Sequence, residues 1–203
     1  GLDLCGVRTV LVTHAHDDHL NPSFLMHRGW ASEEPLQVIG PEPAIARCVD
    51  WLKPGQDVVT LTTVTAGDEL EVDGYRVRVI PATHHALGEA VLYAIESDGR
   101  SLLYATDTGP LPETTWDVLA GRRVDLVLME ETFGPCTTKG GRHLHLATFA
   151  ATVERFRAEG VVDERSRVVA VHLAHDNPPL DDLAAELARC GAEVLADGTL
   201  ITL

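Results

Sequence analysis

Apolar residues in this chain come in short runs broken by polar turns, and the period of each run predicts an element. Residues 7–13 are β-branched and apolar, the pattern of a buried strand. Asn21-Pro22 then suits a helix start, with Asn as cap and Pro in the first turn. Leu36–Gly40 reads as a short strand and residues 41–52 as a helix. Residues 58–65 and 70–72 are strand-like, and Asp73-Gly74 is a hairpin turn into Tyr75–Pro81. A second hairpin runs from residues 90–96 through Asp98-Gly99 to residues 101–105. Residues 124–129 and 168–171 are buried strands, Leu146–Ala158 is an amphipathic helix, and residues 179–189 form another helix. Residues 193–203 should close the chain with two short strands around Asp197-Gly198. Strands alternating with helices, with hairpins between, predict an α/β sheet system rather than a bundle. There is no internal repeat, low-complexity stretch or linker, so residues 1–203 read as one domain.

The chemistry-bearing residues follow the apolar runs. His14 comes after one strand, His84 after Tyr75–Pro81, Asp107 after the second hairpin and His172 after residues 168–171. Strand ends along one sheet edge converge in space, where α/β proteins usually place their chemistry. The segment Thr13-His14-Ala15-His16-Asp17-Asp18-His19 is the densest case. His14 and His16 are two apart, so an extended chain sends both side chains the same way. The chain then turns, and Asp18 and His19 can face a second point nearby. Imidazole and carboxylate donors together suit zinc, manganese or iron. Asp17 reads as solvent-facing.

Composition narrows the partners. The formal charge is −15, from 16 basic and 31 acidic residues, with 10 histidines. Such a surface repels phosphate backbones and anionic lipids, so long nucleic acid is disfavoured and a small-molecule substrate favoured. Cys5, Cys48, Cys136 and Cys190 are scattered without a C-x-x-C pair and read as reduced thiols of a cytoplasmic protein. The apolar runs are too short to cross a membrane, and no export signal stands at the start.

The 13–19 segment resembles the signature of the metallo-β-lactamase superfamily, H-x-H-x-D-H. Segments around His84, Asp107 and His172 resemble the family's later ligand segments, in the family's order. The resemblance implies an αββα sandwich holding two divalent metal ions, zinc first, with Mn²⁺ or Fe²⁺ also compatible. It implies that His14, His16 and His84 hold one metal and that Asp18, His19 and His172 hold the other. Asp107 would bridge them. His85 stands beside His84, and His175 beside His172, as alternative ligands. The family usually has several strands before its first metal motif, and here about a dozen residues precede His14. The sheet is therefore expected to lack its N-terminal strands, and its open edge makes a homo-oligomer an expected partner.

Within the superfamily, the chain is most similar to the phosphodiesterase branch, which includes ribonuclease Z and phosphoribosyl cyclic phosphodiesterases. Glu130-Glu131-Thr132-Phe133 resembles that branch's Glu-x-Thr element, and the segment from His143 to Phe149 resembles one bringing an extra histidine to the metals. The narrowest likeness is to the hydrolase half of proteins that also carry an adenosylcobinamide kinase domain. No G-x-x-x-x-G-K-[ST] motif is present, and the glycine-rich stretch Gly134 to Gly140 has the wrong spacing for one. The resemblance implies a hydrolase in which a water activated between the metals attacks phosphorus in line. His143 or His145 would be the general acid, Glu130 would orient it, and Asp18 would orient the nucleophile. Hydrolysis of another ester, lactone or amide, or an inactive binding module, are the alternatives.

Overall fold

A computed structural model of the chain describes residues 4–52, 58–139 and 141–203, so Gly140 of the glycine-rich stretch lies outside the described residues. In chain order the elements are β1 (Thr9–Leu11), α1 (Phe24–Ala31), β2 (Leu36–Gly40), α2 (Glu42–Val49), β3 (Val59–Thr63), β4 (Glu69–Val72) and β5 (Tyr75–Pro81). They continue with β6 (Val91–Ser97), β7 (Arg100–Ala105), α3 (Glu113–Leu119), β8 (Leu126–Glu130), α4 (Leu146–Ala158), β9 (Arg167–Val171), α5 (Leu180–Arg189) and β10 (Glu193–Val194). Two sheets result. The smaller is all parallel, in the order β1-β2-β3, and the larger is mixed, in the order β10-β9-β8-β7-β6-β5-β4.

Three apolar clusters define the layers. Leu25, Ala44, Ile45 and Cys48 of α1 and α2 pack on Val38 and Leu36 of the small sheet. Ile39 from that sheet meets Val77, Val79, Val91 and Tyr93 of the large one. Trp116, Phe149, Phe156 and Leu187 from α3, α4 and α5 cover the opposite face, against Leu103, Val127 and Met129. The order is helix, sheet, sheet, helix, the αββα arrangement that the family resemblance implied. The buried Tyr93 hydroxyl donates to the carbonyl of Val12 at 2.7 Å, tying the two sheets just before the histidine cluster.

Strand directions bring the site together. β5 and β7 both run antiparallel to β6, so they point the same way. β8 and β9 run parallel to β7. The C-terminal ends of β5, β7, β8 and β9 therefore share one edge, and Val91 N–H bonds Thr13 O at 2.9 Å to bring the end of β1 to it.

Some boundaries depart from the sequence reading. The first strand covers only Thr9–Leu11 of residues 7–13. The first helix starts at Phe24, because the Asn21 side chain accepts from Ser23 N–H in a local turn before it. Helix α3 was not anticipated, since Glu113-Thr-Thr-Trp carries two β-branched residues and little helical period. At the C-terminus β10 is the single strand, and residues 195–203 hold a turn at Asp197-Gly198 without a second strand.

Candidate metal centre

Two groups of donors meet at the shared sheet edge and have Asp107 in common. His14, His16, His84 and Asp107 form one; Asp18, His19, Asp107 and His172 form the other. His16 Nδ1 lies 3.0 Å from both His14 Nε2 and His84 Nε2. One oxygen of Asp107 is 3.7 Å from His14 Nε2, 3.9 Å from His84 Nε2 and 3.3 Å from His19 Nε2. Its other oxygen is 3.4 Å from His172 Nε2. Asp18 lies 3.6 Å from the Nε2 atoms of both His19 and His172. Two donors on one tetrahedral ion, each about 2.0–2.1 Å from it, are separated by about 3.3 Å, so this spacing suits coordination.

Hydrogen bonds on the far sides of the rings decide which nitrogens can coordinate. His84 Nδ1 is 2.8 Å from the carbonyl of Arg142. A carbonyl only accepts, so Nδ1 carries the proton and Nε2 keeps its lone pair. For His172 the partner is Thr132 Oγ1 at 2.9 Å. The Thr132 hydroxyl donates to Glu130, so it accepts from His172 Nδ1–H and leaves Nε2 free. His19 Nε2 is buried without a hydrogen-bond partner among the described residues. A buried nitrogen left unpartnered beside a shared carboxylate is accounted for by a ligand role. His172 sits at φ 58°, a left-handed conformation that turns its ring out of the strand direction.

The electrostatics differ across the donor set: burial works against a charged His19, but the carboxylates of Asp107 and Asp18 prevail and its pKa is raised. Burial, reinforced by the neighbouring imidazoles, lowers His14 to about 3, so it stays neutral. Burial also lowers His84. Asp107 is held well below the usual carboxylate range: burial opposes ionisation, but His19, Thr106 and His172 outweigh it. Neutral imidazoles and an ionised carboxylate are the forms that bind a cation.

Next to the donors stands a second arrangement. Glu130 is fully buried at the end of β8 and accepts from Thr108 N–H, Leu144 N–H and Thr132 Oγ1–H. His143 Nδ1 lies 3.1 Å from both Glu130 oxygens. Its ring is 4.6 Å from that of His84 and stacks at 5.7 Å on that of His172. Burial works against a protonated His143, but the bond to Glu130 and its charge prevail, and the pKa is raised.

His145 is placed differently. It caps α4, where its backbone N–H bonds Thr148 Oγ1 at 2.9 Å, and its Nδ1 is buried without a partner among the described residues. It belongs to none of the donor groups, and neither do the exposed His85 and His175. Asp17 is exposed as expected, but it pairs with Arg47, which also donates to the carbonyl of Ala15. Sequence reasoning missed Arg47, Thr132 and the Arg142 carbonyl. Only the Glu-x-Thr likeness signalled any of them.

A model of the beta-lactamase superfamily domain matches residues 2–173. The chain belongs to that superfamily. Curated relatives include ribonuclease Z of Mycobacterium marinum, 32% identical over 135 residues that cover 55% of this chain and 48% of the relative. Ribonuclease Z of Mycobacterium tuberculosis is 35% identical over 127 residues, covering 54% and 46%. The chain spans about half the length of these relatives. Among solved structures, YhfI from Bacillus subtilis, a metallo-beta-lactamase fold protein, aligns with a TM-score of 0.72 at 15% identity, covering 95% of this chain and 76% of that one. The short form of human tRNase Z aligns at 0.69 and 15%, covering 99% and 81%. A diphosphatase of the PhnP family aligns at 0.69 and 19%, covering 94% and 68%. These solved structures share the fold of this chain. The ribonuclease Z relatives stand in tension with the expectation that long nucleic acid is disfavoured, and no cobinamide kinase fusion is among the relatives named here. No helix among the described residues is long and apolar enough to cross a membrane.

Proposed function

We propose that this chain is a dinuclear metal-dependent phosphodiesterase that cleaves a small phosphodiester in the cytoplasm. The observation that carries this reading is the placement of His143, whose Nδ1 lies 3.1 Å from both oxygens of the buried Glu130 while its ring packs on those of His84 and His172, one from each donor group. His14, His16, His84 and Asp107 would hold one ion, and Asp107, Asp18, His19 and His172 the other. When bound, the ions supply Lewis acidity toward phosphoryl oxygens and activation of water. The chain's own residues do the rest. Asp18, with a side chain 65% exposed, stands at the solvent side and can accept a proton from an entering water. Glu130 holds the Nδ1 proton of His143 and so directs the other ring nitrogen outward. From there it can give its proton to the departing oxygen, which an alkoxide leaving group requires.

A second reading is favoured by the relatives named ribonuclease Z: the diester would lie in an RNA precursor. The net charge of −15 opposes a long polyanion. Zinc- or manganese-loaded protein tested on bis(p-nitrophenyl) phosphate, a p-nitrophenyl carboxylic ester, a lactone, a β-lactam and a transfer-RNA precursor separates the readings. The small diester is expected to turn over fastest. Faster cleavage of the precursor would favour the RNA reading. Faster ester or lactone cleavage would overturn the assignment, and bound metal with no turnover would indicate a binding module.

A further inference from the structure

In a chain with 31 acidic and 16 basic residues, a cation seldom lacks a carboxylate. Arg78 pairs with Glu69 and Glu96, Arg155 with Glu113 and Glu159, and Lys139 with Asp176. Arginines without such a pair, such as Arg28 and Arg122, donate to backbone carbonyls. Arg142 is the exception: among the described residues its exposed guanidinium has neither a carboxylate nor a carbonyl partner.

Its place in the fold gives this meaning. The Arg142 carbonyl is held by His84 Nδ1 at 2.8 Å, and the next residue is His143. Its Cα also packs closely against Gly109, where an added Cβ would lie 3.2 Å away. The root of the side chain is thus fixed at the lip of the metal centre while its head is free. A cation not already neutralised can take a phosphate without displacing a carboxylate, and a guanidinium offers it two parallel donors.

We infer that Arg142 is a specificity-determining residue that binds a second phosphate on the substrate, outside the diester that is cleaved. This rests on the phosphodiesterase reading. The test compares the 5′-p-nitrophenyl esters of thymidine 5′-phosphate and thymidine 3′,5′-bisphosphate, which share a leaving group and differ by one phosphate. Zinc-loaded wild type is expected to prefer the bisphosphate ester by about tenfold or more in kcat/KM, through KM, as one charge-assisted contact allows. Arg142→Gln should bring that ratio near one, and Arg142→Lys should restore part of it. A purely structural role would lower both rates and leave the ratio alone. No preference in the wild type, or a preference kept in Arg142→Gln, would overturn the inference. Calorimetric binding of the two free nucleotides to zinc-loaded protein gives a second readout. If neither ester is cleaved, the phosphodiesterase reading fails by itself. Tighter binding of the bisphosphate, lost in Arg142→Gln, would still support Arg142, and equal binding would contradict it.

Discussion

A proton on one ring nitrogen decides what the other nitrogen can do. His84 and His172 give their Nδ1 protons to Arg142 O and Thr132 Oγ1, and His143 turns Nδ1 toward Glu130. The first two rings thereby present bare lone pairs, and the third can present a proton. His143→Ala should therefore keep its metal and slow an alkyl phosphodiester about 10²-fold or more, while slowing bis(p-nitrophenyl) phosphate much less. Nitrophenolate leaves without a proton, and an alkoxide does not. His145→Ala, altered at the cap of α4, should lower both rates alike and only slightly. Equal losses on both substrates in His143→Ala, together with lost metal, would make His143 a ligand instead. The sequence narrowed the acid to His143 or His145, because two histidines two apart at a helix start look alike. The geometry that favours His143 is a contact with a carboxylate 13 residues away. Glu131 is a different case. It is fully buried, neither oxygen meets a hydrogen-bond donor at good geometry among the described residues, and burial raises it from 4.5 to about 7. An acid whose folded pKa is raised adds stability below its unfolded value and loses it as pH rises through the folded one. Between pH 4.5 and about 7 the wild type should lose stability relative to Glu131→Gln, the gap reaching about 3 kcal/mol at pH 8. Urea unfolding of both metal-free proteins at pH 4.5 and pH 8 checks this, and a gap independent of pH would contradict it.

At the scale of elements, the site depends on loops that pass very close to one another. Gly109 follows Asp107, and a Cβ there would stand 2.2 Å from the carbonyl of Gly141, which is backbone and cannot swing aside. Gly109→Ala should push away the 141–143 segment, and with it the anchor of His84 and the His143 ring. A loss of about 1–3 kcal/mol in unfolding free energy is expected, with a drop in turnover larger than that in stability. Unchanged turnover would mean that the segment adapts without moving its histidines. Strands with strong β-branched runs were legible from sequence, as were both hairpins with their Asp-Gly turns. The elements that escaped are those whose local signal is weak. Helix α3 has seven residues and is fixed by Thr115 and Trp116 packing inward, and residues 195–203 had turn residues but no partner strand. Donors were legible because they follow apolar runs. Of their supports, Glu130 and Thr132 were signalled only by the Glu-x-Thr likeness, and a backbone carbonyl such as Arg142 O carries no pattern along the chain.

For the whole molecule, parallel strand ends from one sheet and the end of β1 from the other gather two donor groups around a single carboxylate. Asp107 is 2% exposed and belongs to both. Without a cation, His19 Nε2 stays buried and unpartnered among the described residues, beside a carboxylate that six donor residues surround, so metal binding should be coupled to stability. The measurement that bears most directly on the dinuclear centre is metal stoichiometry by elemental analysis after zinc reconstitution, run on wild type, His16→Ala and Asp107→Asn. Close to two ions per chain are expected in the wild type. His16→Ala should lose one of them, and Asp107→Asn should weaken both. One ion or none in the wild type, or two fully retained in Asp107→Asn, would contradict a centre built on a shared aspartate.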